Sequence, residues 1–210
     1  MHRVLVSSNT YRQSSAQPAN VPAKDPENRL FARANVRRLE AEEVRDALLA
    51  ISGQLDRSIG GSLLTVKNRG YFFDHTSKDL TDYNSRRRSL YLPVVRNNVY
   101  DVFQLLDFPD PAIPSGDRST TTIAPQALLM LNSELVLNAA TDFARRLLDD
   151  LDNDHQRLEQ MHLLAYGRPM TSTERVASTA FLAAAERSLL SAGPEPNKRQ
   201  LQRSEEHTSE

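Results

Sequence analysis

The chain lacks cysteine and tryptophan entirely, and only 6% of its 210 residues are aromatic. The absence of cysteine excludes disulfides, thiolate catalysis, a cysteine-ligated zinc site and covalent haem attachment within these residues. No apolar run approaches the ~20 residues that a membrane-spanning helix needs. The first seven residues are too short and too polar a segment for a secretory signal.

The chain also lacks an excess of charge of either sign. Lys and Arg total 26, Asp and Glu total 27, and the formal net charge is −1 at pH 7. Such a balance gives no field that attracts nucleic acid or an anionic membrane surface, so the sequence argues against a nucleic-acid-binding role. The nucleotide-binding patterns G-x-x-x-x-G-K-[ST] and G-x-G-x-x-G are missing, as is the hydrolase pattern G-x-S-x-G.

The sequence does contain clear helical patterning. An apolar stripe at helical spacing predicts a helix from residue 39 to about residue 55, and its members are Val44, Ala47, Leu48, Ile51 and Leu55. Before it, Asp25-Pro26-Glu27 has the N-cap, the first-position proline and the first-turn acid that open a helix.

Five further helices are predicted after residue 97. The first carries Val102, Phe103 and Leu106. The second starts at Pro125, with Leu128, Leu129 and Leu131 facing inward. The third is capped by Ser133, and the last two cover residues 154–166 and 172–190. Gly167 and Pro169 end the fourth, and the capping box from Thr171 to Glu174 starts the fifth.

Residues 70–73 and 90–95 have strand composition, and we expect a minor β-hairpin or short strands around residues 70–95. The arginines at positions 86–88 precede the second segment. Either they grip a phosphate or a sugar carboxylate, or they shield a sheet edge and pair with nearby acids. The predicted fold class is therefore mostly α, an irregular helical domain with long loops and a minor β element.

The strongest candidate for a binding site is the proline-rich loop at residues 107–122 and the start of the helix that follows it. Hydroxyls and an arginine precede a helix N-terminus, whose N–H groups and dipole favour an anion such as a sulfate, phosphate or carboxylate. The alternative is that a threonine caps the helix while neighbouring side chains hold the loop. The candidate residues are Arg12, Asp107, Arg118, Thr121, Thr122 and Gln126.

Other groupings of polar residues are weaker candidates. Asp74, His75, Asp79 and Asp82 offer oxygen and imidazole ligands, but their spacing matches no known metal loop. His155 and His162 are two helical turns apart, too far to share an ion, so we predict no metal site. Paired acids such as Asp107 with Asp110, or Glu40 with Glu43, arise readily in a chain with 27 acids and decide nothing alone.

The last eight residues, 203–210, read as the in-frame translation of a common sequencing adapter. We therefore expect residues 1–202 to be a single, partial domain and residues 203–210 to be an artefactual tail, which is excluded from reasoning about the fold.

Several segments together resemble one family, domain of unknown function 1553, a planctomycete-type module that accompanies cytochrome c domains. The resemblance spans about residues 2–185 and is most specific at Thr121-Thr122, Pro125-Gln126-Ala127-Leu128 and Leu131-Asn132. The other matching positions are His2-Arg3, residues 8–15, 25–30, 38–42, 44–48, 52–53, 60–61, 87–91 and 165–169, Thr171 and Glu174.

The resemblance implies which domains accompany this chain in its parent protein, but it does not imply a reaction. Members of the family are C-terminal parts of large exported bacterial proteins, with a companion domain and often a c-type haem module upstream. It implies an extracytoplasmic location, an N-terminally truncated domain, and as partners the companion domain and the cytochrome c module of the same parent protein. It carries no established activity and no catalytic residues; these residues hold no cofactor of their own, and haem c would belong to an upstream module.

Two classes of function follow from the sequence. The first is an accessory module for binding or assembly beside the haem domain. The second is an extracytoplasmic enzyme domain that acts on a carbohydrate, with a polysaccharide as a candidate partner, or on another anionic substrate. Its site would combine Arg12, Asp107, Arg118, Thr122 and Gln126. Since buried polar groups are costly unless paired, such a density of polar residues indicates either a site or a structural network.

Overall fold

The computed structural model describes residues 1–16, 25–61, 63, 83–95, 99–116 and 118–192. Within these ranges the chain forms seven α-helices and one short 3-10 helix. The α-helices are α1 (His2–Val6), α2 (Ala41–Ile51), α3 (Asp101–Leu105), α4 (Ala124–Asn132), α5 (Glu134–Asp150), α6 (Asp154–Tyr166) and α7 (Ser172–Ala192). The prediction of a mostly α fold is confirmed. None of the helices in the described ranges is long and apolar enough to cross a bilayer.

The chain is divided into two compact units that alternate along the sequence. The first unit combines Met1–Asp46 with Ile59–Met130, and the second combines Ala47–Ser58 with Leu131–Glu210. The expectation of a single domain over residues 1–202 stays a prediction. So does the artefactual origin of residues 203–210, which lie outside the described ranges.

Helix α3 supplies much of the buried apolar surface of the first unit. Val102 and Phe103 are buried, as is Leu106 directly after the helix, in agreement with the predicted apolar face. Phe103 stacks on Phe108 with 5.2 Å between ring centroids and meets Tyr100 edge-on at 5.3 Å. Both arrangements are favourable for aromatic rings. The start of the proline-rich loop is thereby fixed against α3.

A buried arginine lies on α2 in the first unit. The side chain of Arg45 is 1% exposed and donates hydrogen bonds to the carbonyl oxygens of Ser85 and Arg87 and to Ser89 Oγ. Asp46 Oδ1 accepts from the N–H of Ser89 at 2.7 Å and from its hydroxyl at 2.6 Å. Burial lowers the pKa of Arg45. A buried charge persists only with partners of this kind.

The predicted strand over residues 90–95 is wrong. Ser89–Tyr91 form the 3-10 helix, and the described residues 83–95 contain only isolated bridge positions. The backbone directly before this segment is bound by side chains and not by a neighbouring strand: Arg45 binds the carbonyl oxygens of Ser85 and Arg87, and Asp46 binds the N–H of Ser89. The other predicted strand, residues 70–73, lies outside the described ranges.

In the second unit, α5 and α6 contact each other, and Leu147 and Leu158 are buried. Helix α6 ends at Gly167, whose φ of 67° is left-handed, as is common after a helix C-terminus. Helix α7 begins with the predicted capping box. Thr171 Oγ1 accepts from the N–H of Glu174 at 3.3 Å, and the N–H of Thr171 donates to the Glu174 carboxylate at 2.9 Å. Both boundaries are confirmed.

The helix predicted to open at Asp25 is also wrong. The Asp25 carboxylate accepts from the backbone N–H groups of Arg29 and Leu30, at 2.9 and 2.8 Å. Asn28 and Phe31 both have φ of 53°, outside the helical region. The segment is therefore a series of turns held by the aspartate that was expected to cap a helix.

Helix α4 forms where predicted, but two of the three residues that were expected to face inward are exposed, while the third, Leu129, is half-buried. Leu128 is 57% exposed and Leu131 69%, whereas Gln126 is 6% exposed. Gln126 is buried because its amide makes hydrogen bonds on both sides: Oε1 accepts from the N–H of Ile123 and Nε2 donates to Asp107, each at 3.3 Å. The residue that α4 buries most fully is thus a polar one, Gln126.

Candidate functional site

The turn after α3 places Asp107 beside the segment that leads into α4. Asp107 Oδ2 accepts from the N–H of Thr121 at 2.8 Å, and Oδ1 accepts from the Thr121 hydroxyl at 2.7 Å. Gln126 Nε2 donates to Oδ2 at 3.3 Å, and Arg38 Nη1 lies 3.6 Å from the same oxygen. We call Arg38, Asp107, Thr121 and Gln126 the Asp107 cluster.

The Asp107 cluster fixes the carboxylate in its charged form. Its hydrogen bonds lower the pKa of Asp107, with the Thr121 hydroxyl as the largest contributor and the Thr121 N–H next. Arg38 also donates to the carbonyl oxygen of Thr121, so it connects Asp107 to the backbone before α4. The ionised Asp107 carboxylate thus serves as the acceptor that holds Thr121 and Gln126.

Arg118 forms a second group of paired charges. Its guanidinium makes a bidentate contact with Glu42, at 2.7 Å from Nη1 to Oε2 and 3.0 Å from Nη2 to Oε1. Glu40 Oε2 lies 3.2 Å from the same Nη1, and the guanidinium carbon lies 5.5 Å from the centre of the Phe108 ring. The hydrogen bond to Glu42 raises the pKa of Arg118. We call Glu40, Glu42 and Arg118 the Arg118 group.

The structure brings together part of the predicted site. Asp107, Thr121 and Gln126 meet in one cluster, and Arg118 lies on the same loop, where it lines a common cavity with Asp107 and Thr121. Thr122 is exposed, and Thr121 supplies the hydroxyl that binds Asp107. Arg12 lies exposed in the turn after α1, and within the described ranges no hydrogen bond or ion pair joins its side chain to the cluster.

Sequence reasoning missed the partners that come from α2 and the residues before it. Arg38 and Glu42 lie 83 and 76 residues from Thr121 and Arg118, their respective partners. The available signal was the cluster of charges over residues 37–43, which contains two arginines and three glutamates. Glu40, set aside as one of many acids, is a partner of Arg118.

Two cavities adjoin these charged groups in the first unit. The larger, about 400 Å³, is lined by Gln104, Asp107, Phe108, Pro109, Asp110, Ile113, Ser115, Arg118, Ser119 and Thr121. The smaller, about 180 Å³, lies among Arg37, Arg38, Leu39, Glu40, Leu106, Asp107, Arg118, Ser119 and Thr120. The larger one has the volume of small-molecule binding pockets.

The arginines at positions 87 and 88 have structural contacts. Arg87 donates to the carbonyl oxygen of Gly60, and its guanidinium carbon lies 4.1 Å from the centre of the Tyr91 ring. Arg88 lies 5.8 Å from the same ring. These cation–π contacts favour the structural interpretation over phosphate binding. The acids proposed as their partners, at positions 74, 79 and 82, lie outside the described ranges.

In the described part of the chain, no group of three or more His, Cys, Asp or Glu side chains is arranged to hold a metal ion. His162 is buried and lies 4.9 Å from the Tyr166 ring, whereas His155 is exposed and contacts Arg175. Asp74, His75, Asp79 and Asp82 lie outside the described ranges.

Comparison with known proteins gives a family but no activity. No curated protein and no solved structure matches the chain. The family model described as "PSD1: Protein of unknown function (DUF1553)" matches residues 1–182, and this range contains the Asp107 cluster, the Arg118 group and all helices through the first half of α7. The match agrees with the resemblance seen in the sequence. The chain therefore belongs to the PSD1 (DUF1553) family of proteins of unknown function.

Proposed function

We propose that this chain is a non-catalytic module for binding or assembly within a large exported bacterial protein. The observation that carries the proposal is that Asp107 and Arg118, the charged residues of the predicted site that lie on the loop, are each paired with a charge from outside that site. Asp107 is bound by Thr121, Gln126 and Arg38, and Arg118 is bound by Glu42. Such groups hold a loop in place and leave no charge shifted towards the pKa of a catalytic acid or base.

The family resemblance supplies the context of the proposal. It supports a location outside the cytoplasm, beside a companion domain and a c-type cytochrome module of the same polypeptide. The chain's own residues do not fit covalent haem attachment, because the sequence contains no cysteine. Any haem would be held by the cytochrome module, and this chain would contribute contact surface to it.

Helix α4 supplies the surface best suited to such a contact. Leu128 is 57% exposed and Ile123 46%, and Ala124 and Ala127 are exposed beside them. An apolar helix face open to solvent is typical of a surface that another protein segment covers. The buried side of α4 is fixed by Gln126, so this apolar face is held outward.

The enzyme alternative is supported by one observation, the cavity of about 400 Å³ beside Asp107 and Arg118. Internal pairing of both charged residues weighs against it. A catalytic role for either would require the loop to give up the contacts that hold it.

The experiment expresses the chain and the remainder of its parent polypeptide as two pieces and measures their association by calorimetry. Leu128→Glu removes apolar contact and introduces charge, so we expect it to weaken association by about tenfold or more. Leu90→Glu is the control, because it makes the same change at a leucine that is 80% exposed on the 3-10 helix and is not part of α4. Equal binding of both variants and the wild type would contradict the assignment of α4.

Arg118→Ala distinguishes the module from the enzyme. We expect it to lower the free energy of unfolding by about 0.5–1 kcal/mol, since the pair with Glu42 is bidentate but about one-third exposed. Hydrolysis of a polysaccharide or a sulfate ester by the wild type, lost in Arg118→Ala at unchanged stability, would establish the enzyme.

A further inference from the structure

The larger cavity in the proline-rich loop has apolar walls beside a polar rim. Pro109 and Ile113 contribute aliphatic surface, and Ile113 is 64% exposed. Phe108 forms a further wall, and its ring is fixed between Phe103 and the Arg118 guanidinium. A ligand that fills this cavity must therefore carry an apolar portion as well as polar atoms.

Among the described residues that line the cavity, one charge has no partner of opposite sign. Asp107 and Arg118 both line it, but each is bound by partners of opposite charge, Arg38 and Glu42 respectively. Asp110 differs from them. Its Oδ1 accepts from the N–H of Ala112 at 2.8 Å, and within the described ranges no Arg, Lys or His side chain forms an ion pair with it.

The charge of Asp110 indicates whether the cavity favours an anion, a neutral polyol or a cation. An anion would meet the carboxylate of Asp110 and a guanidinium that Glu42 and Glu40 already neutralise. A neutral polyol would leave the Asp110 charge without a partner. A cation gains a charge-assisted hydrogen bond with Asp110, while its stem covers Pro109 and Ile113.

The loop is also held before any ligand arrives. The Asp107 cluster and the Arg118 group each hold one of the charged residues that line the cavity. A preformed cavity spares a ligand the entropic cost of ordering the loop, so even a small ligand can bind measurably.

We propose that this cavity binds an ammonium or guanidinium group carried on an aliphatic stem, with the Asp110 carboxylate as its counter-ion. The source that fits is a lysine or arginine side chain of a partner polypeptide, because its aliphatic stem can cover Pro109 and Ile113, whereas the ammonium of an amino sugar is attached directly to a polar ring. The site is separate from the exposed face of α4 and does not depend on the role proposed for that helix.

The test is an NMR titration of the whole chain with Nα-acetyl-lysine amide and with Nα-acetyl-norleucine amide, which has the same aliphatic stem without the ammonium. We expect the lysine compound to bind at least about tenfold more tightly, with shifts at Ile113 and Ser119. Asp110→Asn keeps the acceptor for the Ala112 N–H and should abolish the difference. Asp152→Asn makes the same charge change at an exposed position after α5 and should preserve it.

Equal affinity for the two compounds, an unchanged ratio in Asp110→Asn, or no saturable binding of either would overturn the proposal. Thermal melting of Asp110→Asn shows that the variant is folded. Glucosamine and its N-acetyl derivative, titrated in the same way, identify the source. Preference for the lysine compound supports a polypeptide side chain, and preference for glucosamine would overturn that assignment. Neither result tests the contact proposed through α4, which is tested separately by Leu128→Glu and Leu90→Glu.

Discussion

Asp107 combines a strained backbone with a fully occupied carboxylate. Its φ of 63° lies in the left-handed region, which residues other than glycine adopt at a cost. Hydrogen bonds from Thr121 and Gln126 offset that cost and require the carboxylate to be ionised. The stability of the loop should therefore depend on pH through this residue.

Because the folded-state pKa of Asp107 is depressed, its contribution is present above the ordinary value of 3.8 and is lost as the pH falls through the folded-state value. We expect Asp107→Asn to lower the free energy of unfolding by about 1–2 kcal/mol at pH 7. The difference from the wild type should narrow below pH 3.8. Urea denaturation at pH 7 and pH 3 measures both values, and a difference of the same size at both pH values would contradict the role assigned to the charge.

The residue scale also shows what the sequence can predict about the site. Asp107, Thr121 and Gln126 were found because a proline-rich loop and a helix N-terminus are local patterns. Arg38 and Glu42 were missed because their partners are 83 and 76 residues away. A single sequence says which groups need partners, and only the fold says which distant groups they find.

At the scale of single elements, boundaries that depend on neighbouring residues were predicted well. Gly167 ends α6 and the box from Thr171 to Glu174 begins α7, and both signals act within one helical turn. The 3-10 helix at Ser89–Tyr91 was mistaken for a strand, because Arg45 and Asp46 determine its conformation from more than 40 residues away. Apolar composition alone did not distinguish the exposed face of α4 from its buried one.

Gly167 allows a test of the α6 boundary. Its φ of 67° is unfavourable for alanine, while no atom lies within 4 Å of the position of an added Cβ, so backbone strain alone should determine the effect. We expect Gly167→Ala to lower the free energy of unfolding by about 1 kcal/mol. Gly116→Ala is the control, since that site has equal space and no left-handed φ. Denaturant unfolding of both variants measures the difference, and identical stabilities would show that the turn accepts a side chain freely.

At the scale of the whole molecule, the chain combines exposed apolar side chains with a net charge near zero. Leu30 is 82% exposed, Phe181 71% and Leu190 77%, and the calculated isoelectric point is about 6.5. Contiguous apolar surface is rarely left open in soluble proteins unless another molecule covers it. Charge repulsion is the remaining protection against association, and it vanishes near the isoelectric point.

We therefore expect the isolated chain to associate with itself most strongly near pH 6.5 and less at pH 8.5, where it carries more negative charge. Sedimentation velocity at several protein concentrations at each pH provides the measurement. A chain that stays monomeric at pH 6.5 at every concentration would show that its exposed apolar residues are too dispersed to act together.

The ion pair between Glu42 and Arg118 has a consequence for the order of folding. It joins positions 76 residues apart, so the ends of a long segment must come together before the pair can form. Contacts between α5 and α6, which are neighbours in the chain, need no such closure. The helical hairpin of the second unit should thus form early, and the proline-rich loop should reach its final conformation only near the end. Until then its prolines and apolar side chains remain accessible to chaperones and proteases.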